Sequence, residues 1–147
     1  MAHFHFTLEG VLRYKEADKE NKAALLARAR QQENAVRRQL ELTSHELASH
    51  QVPVPPGSMD VKGCQYNDLY LERLYTRVGL QTTELRQAEN RTGNCLKEVV
   101  AARRDCLTLK KLRERQWSEF RREEENRNQK EMDELVVTQR GNGQERG

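Results

Sequence analysis

All three prolines of the 147-residue chain, Pro53, Pro55 and Pro56, fall in one short stretch, QVPVPPGS at 51–58. Proline fixes its own φ, lacks an amide donor and disfavours helix in the residue before it, so the cluster ends one helix. Gly57 and Ser58 complete a turn, and Ser58 or Asp60 is suited to cap a second helix. That helix is expected from about 61 and, with Gly63 near its start, to settle by about Tyr66. Elsewhere no proline interrupts the chain. The expectation is therefore one domain of two helices, about 7–50 and about 61–137, around a turn at about 51–60. Residues 138–147, polar and glycine-bearing, read as a disordered tail.

Apolar spacing decides that these helices pair. Steps of three and four from Leu71 give Leu71, Leu74, Val78, Gln81, Leu85, Ala88, Thr92, Cys95, Val99, Ala102, Cys106 and Leu109, ten of them apolar. This is the alternation of a coiled-coil face. The small side chains at 88, 95, 102 and 106 suggest a close approach of the partner helix. The first helix carries a patchier seam of Leu8, Leu12, Leu26, Ala29, Val36, Leu40 and Leu47, with Lys15, Lys19 and Lys22 in the gap. Lysine stems can lie over an apolar groove with the charge in water. Folding at the turn sets Leu40 opposite Leu74, Val36 opposite Val78, Leu12 opposite Ala102 and Leu8 opposite Cys106, with Phe4 and Phe6 reaching Leu109 and Leu112. The fold class expected is all-α: a long antiparallel two-helix coiled-coil hairpin, elongated and monomeric, because the two seams close on each other within one chain. Helix lengths of about 65 Å and about 105 Å, at roughly 1.5 Å per residue, leave the second helix overhanging beyond Leu112 by about 25 residues.

Composition supports the hairpin over a globule. Only 35% of residues are hydrophobic and 5% aromatic, against 33% charged, too little apolar mass for a central core of this length. A net charge of +3 gives no dense basic excess for nucleic acid. No stretch approaches the roughly 18 apolar residues of a membrane span, and Glu9 interrupts what a signal peptide would keep apolar. Three sparse cysteines, Cys64, Cys95 and Cys106, suit reduced thiols in a cytoplasm better than a disulfide framework.

Catalysis has no constellation to rest on: no phosphate-cradling glycine loop, no His-Glu-x-x-His pair and no nucleophile elbow. His3 and His5 offer two metal ligands without a third, so no metal and no cofactor are expected. Cys95 and Cys106 lie about 16 Å apart on one helix and act as small seam residues, while Cys64 near the turn is the exposed thiol expected to react.

The overhang is more informative. Lys110–Arg122 holds six basic and two acidic residues, and 123–135 holds six acidic and two basic. Trp117 and Phe120 share a face of the basic block, among Lys111, Arg113, Arg121 and Arg122. A solvated helix held by ion pairs is the bland reading. The sharper one is a partner-binding surface, because indole with neighbouring arginine is the composition of an interface anchor, and a single helix with no partner has nothing to cover it. Near the turn, Leu42, Leu69, Tyr70 and Tyr75 fall off the seam. They either widen the helix contact there or form a second docking patch.

These residues resemble a known family. The opening Phe4-His5-Phe6-Thr7-Leu8-Glu9-Gly10-Val11-Leu12, the middle YNDLYLERL at 66–74, and the closing Phe120-Arg121-Arg122-Glu123 with 130–135 (KEMDEL) are similar to the flagellar FliJ family. The resemblance covers nearly the whole chain in layout. It implies a cytoplasmic, non-enzymatic component of the flagellar type III export apparatus, shaped like the central stalk of rotary ATPases and peripheral to the inner membrane at the flagellar base. It further implies three partners: the export ATPase, whose ring such proteins enter and whose assembly and activity they promote, the cytoplasmic domain of the export gate, and the export chaperones. A structural spacer is the main rival from another class. It would extend the seam past Leu112, where Arg113, Gln116, Arg127 and Lys130 stand instead. A basic-region DNA binder would need a zipper directly downstream, where the acidic block stands. A stalk from a virulence-type secretion system would look much the same.

Overall fold

The computed structural model describes residues 3–144 other than 52 and 54. Two helices account for nearly all of it, α1 (Glu9–His50) and α2 (Val61–Gln144), with no strand among the described residues. Helix α2 thus continues past 137, where a disordered tail was expected to begin, and 145–147 lie outside the described residues.

Local chemistry sets the turn. Gly57 takes a φ of 87°, and the Ser58 amide donates to the Pro55 carbonyl at 3.2 Å. Proline second and a left-handed glycine third make a type II turn, which a side chain at 57 would strain. Ser58 belongs to this turn, since its hydroxyl also donates to Pro55 O at 2.8 Å. Asp60 is the cap: its carboxylate accepts the Gly63 amide at 2.8 Å, and its carbonyl accepts Cys64 N at 3.0 Å. A capped first turn explains why α2 starts at Val61 and does not wait until Tyr66.

The chain divides into two compact units. In the unit Asp18–Ala102, the later part of α1 runs antiparallel to the first part of α2. In the unit formed by Met1–Ala17 and Arg103–Gly147, the start of α1 runs antiparallel to the second half of α2. The fold is accordingly an all-α antiparallel helical hairpin. All twelve α2 seam positions from Leu71 to Leu109 are buried or half-buried, as are the α1 positions Leu8, Leu12, Lys15, Lys19, Lys22, Leu26, Ala29, Val36, Leu40 and Leu47. Thr43, which continues the α1 spacing, is buried too and donates its hydroxyl to Gln39 O at 2.9 Å.

The faces match the expectation, but the register differs. Phe4 meets Trp117 and Phe120, where Leu109 and Leu112 were expected. Glu9 pairs with Arg113 at 3.5 Å, and Arg37 pairs with Glu89 at 3.3 Å, where the first register set Val36 by Val78. In each unit the pairing sits further along α2 by about one heptad, or two turns. A slip of one heptad keeps every seam residue on the seam, so apolar spacing alone cannot detect it. The cause lies at the turn: α2 begins before it gains α1 as a neighbour. Its residues 61–69 are exposed apart from Gly63 and Asn67. The slip also gives the seam lysines a purpose. It brings Lys19 and Lys22 level with Ala102 and Val99 in one unit, and Lys15 level with Cys106 in the other. Val99, Ala102 and Cys106 are each only 2% exposed. Half-buried stems over small residues close the seam while the ammonium groups reach Asp105 at 3.2 Å from Lys15 and Asp18 at 3.0 Å from Lys22.

Candidate interaction site

The unit of Met1–Ala17 and Arg103–Gly147 carries the basic block. Before α1, residues 3–6 are non-helical, and the chain enters the helix through Glu9 N donating to Phe6 O at 3.1 Å and Leu12 N donating to Leu8 O at 2.9 Å. Phe6 is 4% exposed and anchors this strap. Phe4 lies further out, half-buried, with its ring edge-on to Trp117 at 5.2 Å and 71° and tilted on Phe120 at 5.7 Å. Trp117 and Phe120 are 6.0 Å apart and nearly parallel at 23°. Three rings therefore form one cluster in the favoured edge-to-face and offset arrangements.

This corrects one expectation: the aromatic pair has an intrachain neighbour, because the register slip carries Phe4 to it. The cover is partial, since Trp117 remains 46% exposed. The overhang proper starts later than Leu112. From 121 to 141 every residue is exposed except Glu124.

Charge around the cluster is partly engaged. Arg113 meets Glu9 at 3.5 Å, Lys110 meets Glu16 at 3.3 Å, and Arg121 meets Glu125 on its own helix at 3.5 Å. Such exposed pairs are worth at most about 1 kcal/mol each and yield readily to a better partner. Lys111 and Arg122 are exposed. Phe4, Leu12 and Trp117, with Glu9, Lys110 and Arg113 at the rim, line an open groove. Beyond it, Met132, Leu135 and Val136 add an exposed apolar strip to the acidic block.

The turn-proximal residues lie in the other unit and do not act alike. The Tyr70 hydroxyl donates to the Glu46 carboxylate, its ring lies 4.9 Å from His50, and the Tyr75 hydroxyl accepts from Gln51 Nε2. These two tyrosines widen the contact between the helices. Leu42 and Leu69 have no hydroxyl to bond in this way and are 65% and 57% exposed, and Tyr75 is itself 54% exposed. Tyr66 and Val61, exposed as well, were not singled out from sequence. Only the register slip shows that nothing on α1 stands opposite them.

Tyr70 supplies a pH test. Its bond to Glu46 raises its pKa above the ordinary 10.0, partial desolvation and the Glu46 charge add to the rise, and Arg77 opposes it. The folded chain favours the protonated phenol. The stabilisation is thus present below the unfolded value and lost as pH rises through the raised folded one. The difference in tyrosinate absorbance between parent and Tyr70→Phe should have its midpoint above 10.0, and Glu46→Gln should lower it. A midpoint that Glu46→Gln does not move would mean the contact does not persist in solution.

Among the described residues, no group of three or more His, Cys, Asp or Glu is placed to hold a metal ion, and no helix is long and apolar enough to cross a membrane. Cys64 is exposed, Cys95 intermediate and Cys106 buried. The cluster offers contact chemistry: rings, salt-bridging cations and an exposed stretch of helix. A family model described as Flagellar FliJ protein matches residues 4–145. No curated protein and no solved structure matches the chain.

Proposed function

The chain belongs to the FliJ family of flagellar proteins, with a role related to flagellar export, and from that premise we propose that it is a non-enzymatic, stalk-like adaptor of the export ATPase. As a monomer it enters the ATPase ring with the second half of α2, promotes ring assembly and activity, and links the ring to the export gate and to substrate chaperones. It works in the cytoplasm, held at the inner membrane through these partners.

The observation that carries the reading is the half-open Trp117 at the point where α1 stops covering α2. A long helix that outruns its partner can enter a ring without unfolding the hairpin. The basic residues Lys111, Arg113, Arg121 and Arg122 suit acidic loops of a ring, and Trp117 with Phe120 suits an apolar collar. Near the turn, Leu69 on α2, with Tyr70 and Tyr75, and Leu42 on α1 are exposed side chains that could meet the gate or a chaperone. Capture from flagellated cells followed by mass spectrometry tests the assignment. Recovery of the export ATPase is expected. Recovery of the chain alone would overturn the adaptor reading in favour of a spacer.

A further inference from the structure

We infer that the N-terminal strap is an internal competitor for the aromatic docking surface: Phe4 occupies part of what a partner must reach, and docking displaces it. The inference rests on the docking reading above and adds how that site is regulated.

Three observations carry it. Phe4 packs against both rings of the docking pair, edge-on to Trp117 and tilted on Phe120, so its ring fills the position an incoming apolar side chain would take. The strap is held unequally: Phe6 is buried, whereas Phe4, two residues outward, is only half-buried and precedes the first helical residue, Glu9. His5, between them, is exposed and non-helical, so a turn there would free Phe4 while Phe6 and α1 stay in place. Trp117 is already open enough for a partner to make first contact before Phe4 leaves.

Two ring contacts on one phenyl favour the seated form by a factor on the order of ten. Apparent affinity falls by the fraction of molecules with the strap open. A tight site is thereby held at moderate strength until a partner that supplies its own apolar group replaces Phe4.

Phe4→Ala tests this in the full chain, with the export ATPase of the same flagellar system as probe and circular dichroism as a check that helicity is kept. In the free variant, acrylamide should quench Trp117 more strongly and its emission should move to longer wavelength. Affinity for the ATPase should rise about tenfold. Phe4→Leu, which keeps an apolar cover without a ring edge, should fall between. Unchanged quenching would overturn the inference, because Phe4 would not then cover the indole. Unchanged or weaker binding by Phe4→Ala, alongside loss of binding by Trp117→Ala, would sink the strap alone, with Phe4 part of the surface and no competitor for it. A Trp117→Ala chain that binds like the parent would sink the docking reading and the strap with it.

Discussion

Trp117→Ala is expected to weaken binding to the export ATPase by about 2 kcal/mol, the usual cost of truncating a buried aromatic anchor, while leaving helicity nearly unchanged. The two halves of this outcome have separate causes. In the free chain the indole is half-exposed and touches Phe4 and Phe120, neither of which belongs to the Leu71–Leu109 seam, so its removal leaves the helix contact intact. In a complex the same ring would be covered fully, and the loss appears there. The paired charge reversal Arg121→Glu with Arg122→Glu should weaken binding most at low salt, where attraction is least screened. It also replaces the exposed Arg121–Glu125 pair with a like-charge pair one turn apart, which costs the helix about 0.4–1 kcal/mol in all. Calorimetric titration with the ATPase, at two salt concentrations, reads both variants, and fluorescence of the single tryptophan follows the arginine variant as well. If both bind and stimulate the ATPase like the parent, this stretch of α2 is a solvated helix, and the surface around Leu42 and Leu69 becomes the better candidate.

The faces of both helices were legible because burial follows a spacing that residue types display directly. Leu74, Val99 and Cys106 fall on the seam by spacing alone, and so do the half-buried lysines. Register was not legible, because the seam repeats and a slip of one heptad maps it onto itself. The register is set at the turn, and the contacts that display it are specific: Glu9 with Arg113, Arg37 with Glu89, and the tyrosines near the end of α1. Long charged side chains reach several candidate partners, so their pairing cannot be chosen from sequence. One missed heptad had consequences at both ends of α2. It hid the meeting of Phe4 with Trp117, which makes the proposed docking surface a shared one, and it hid the first turns of α2 around Val61 and Tyr66, which α1 does not reach. The choice of Asp60 over Ser58 as cap was likewise hidden, since either side chain suits the position. In the structure Ser58 donates its hydroxyl to Pro55 O, which leaves the Gly63 amide to Asp60.

Leu74→Ala is expected to destabilise the chain by about 2–3 kcal/mol, toward the lower end of what truncating a buried leucine costs. Leu74 is 2% exposed, the largest side chain so fully enclosed among the described residues. Its place on the seam is level with the last turn of α1, where Leu47 is half-buried. Two helices have no further layer behind them, so the gap left by the missing carbons can partly close or admit water, which keeps the cost from the upper range. The same two-helix geometry leaves few other contacts to share the loss, so the effect on the unfolding midpoint should be large. Leu42→Ala removes the same atoms from a side chain that is 65% exposed and should change stability by no more than about 0.5 kcal/mol. Denaturant unfolding followed by circular dichroism provides the comparison. Trp117 fluorescence, recorded in parallel, reports on the unit that Leu74 does not belong to. Coincident curves would mean the two units unfold as one, and separated curves that each has its own stability. Equal effects from Leu74→Ala and Leu42→Ala would show that the seam is not what holds the helices together.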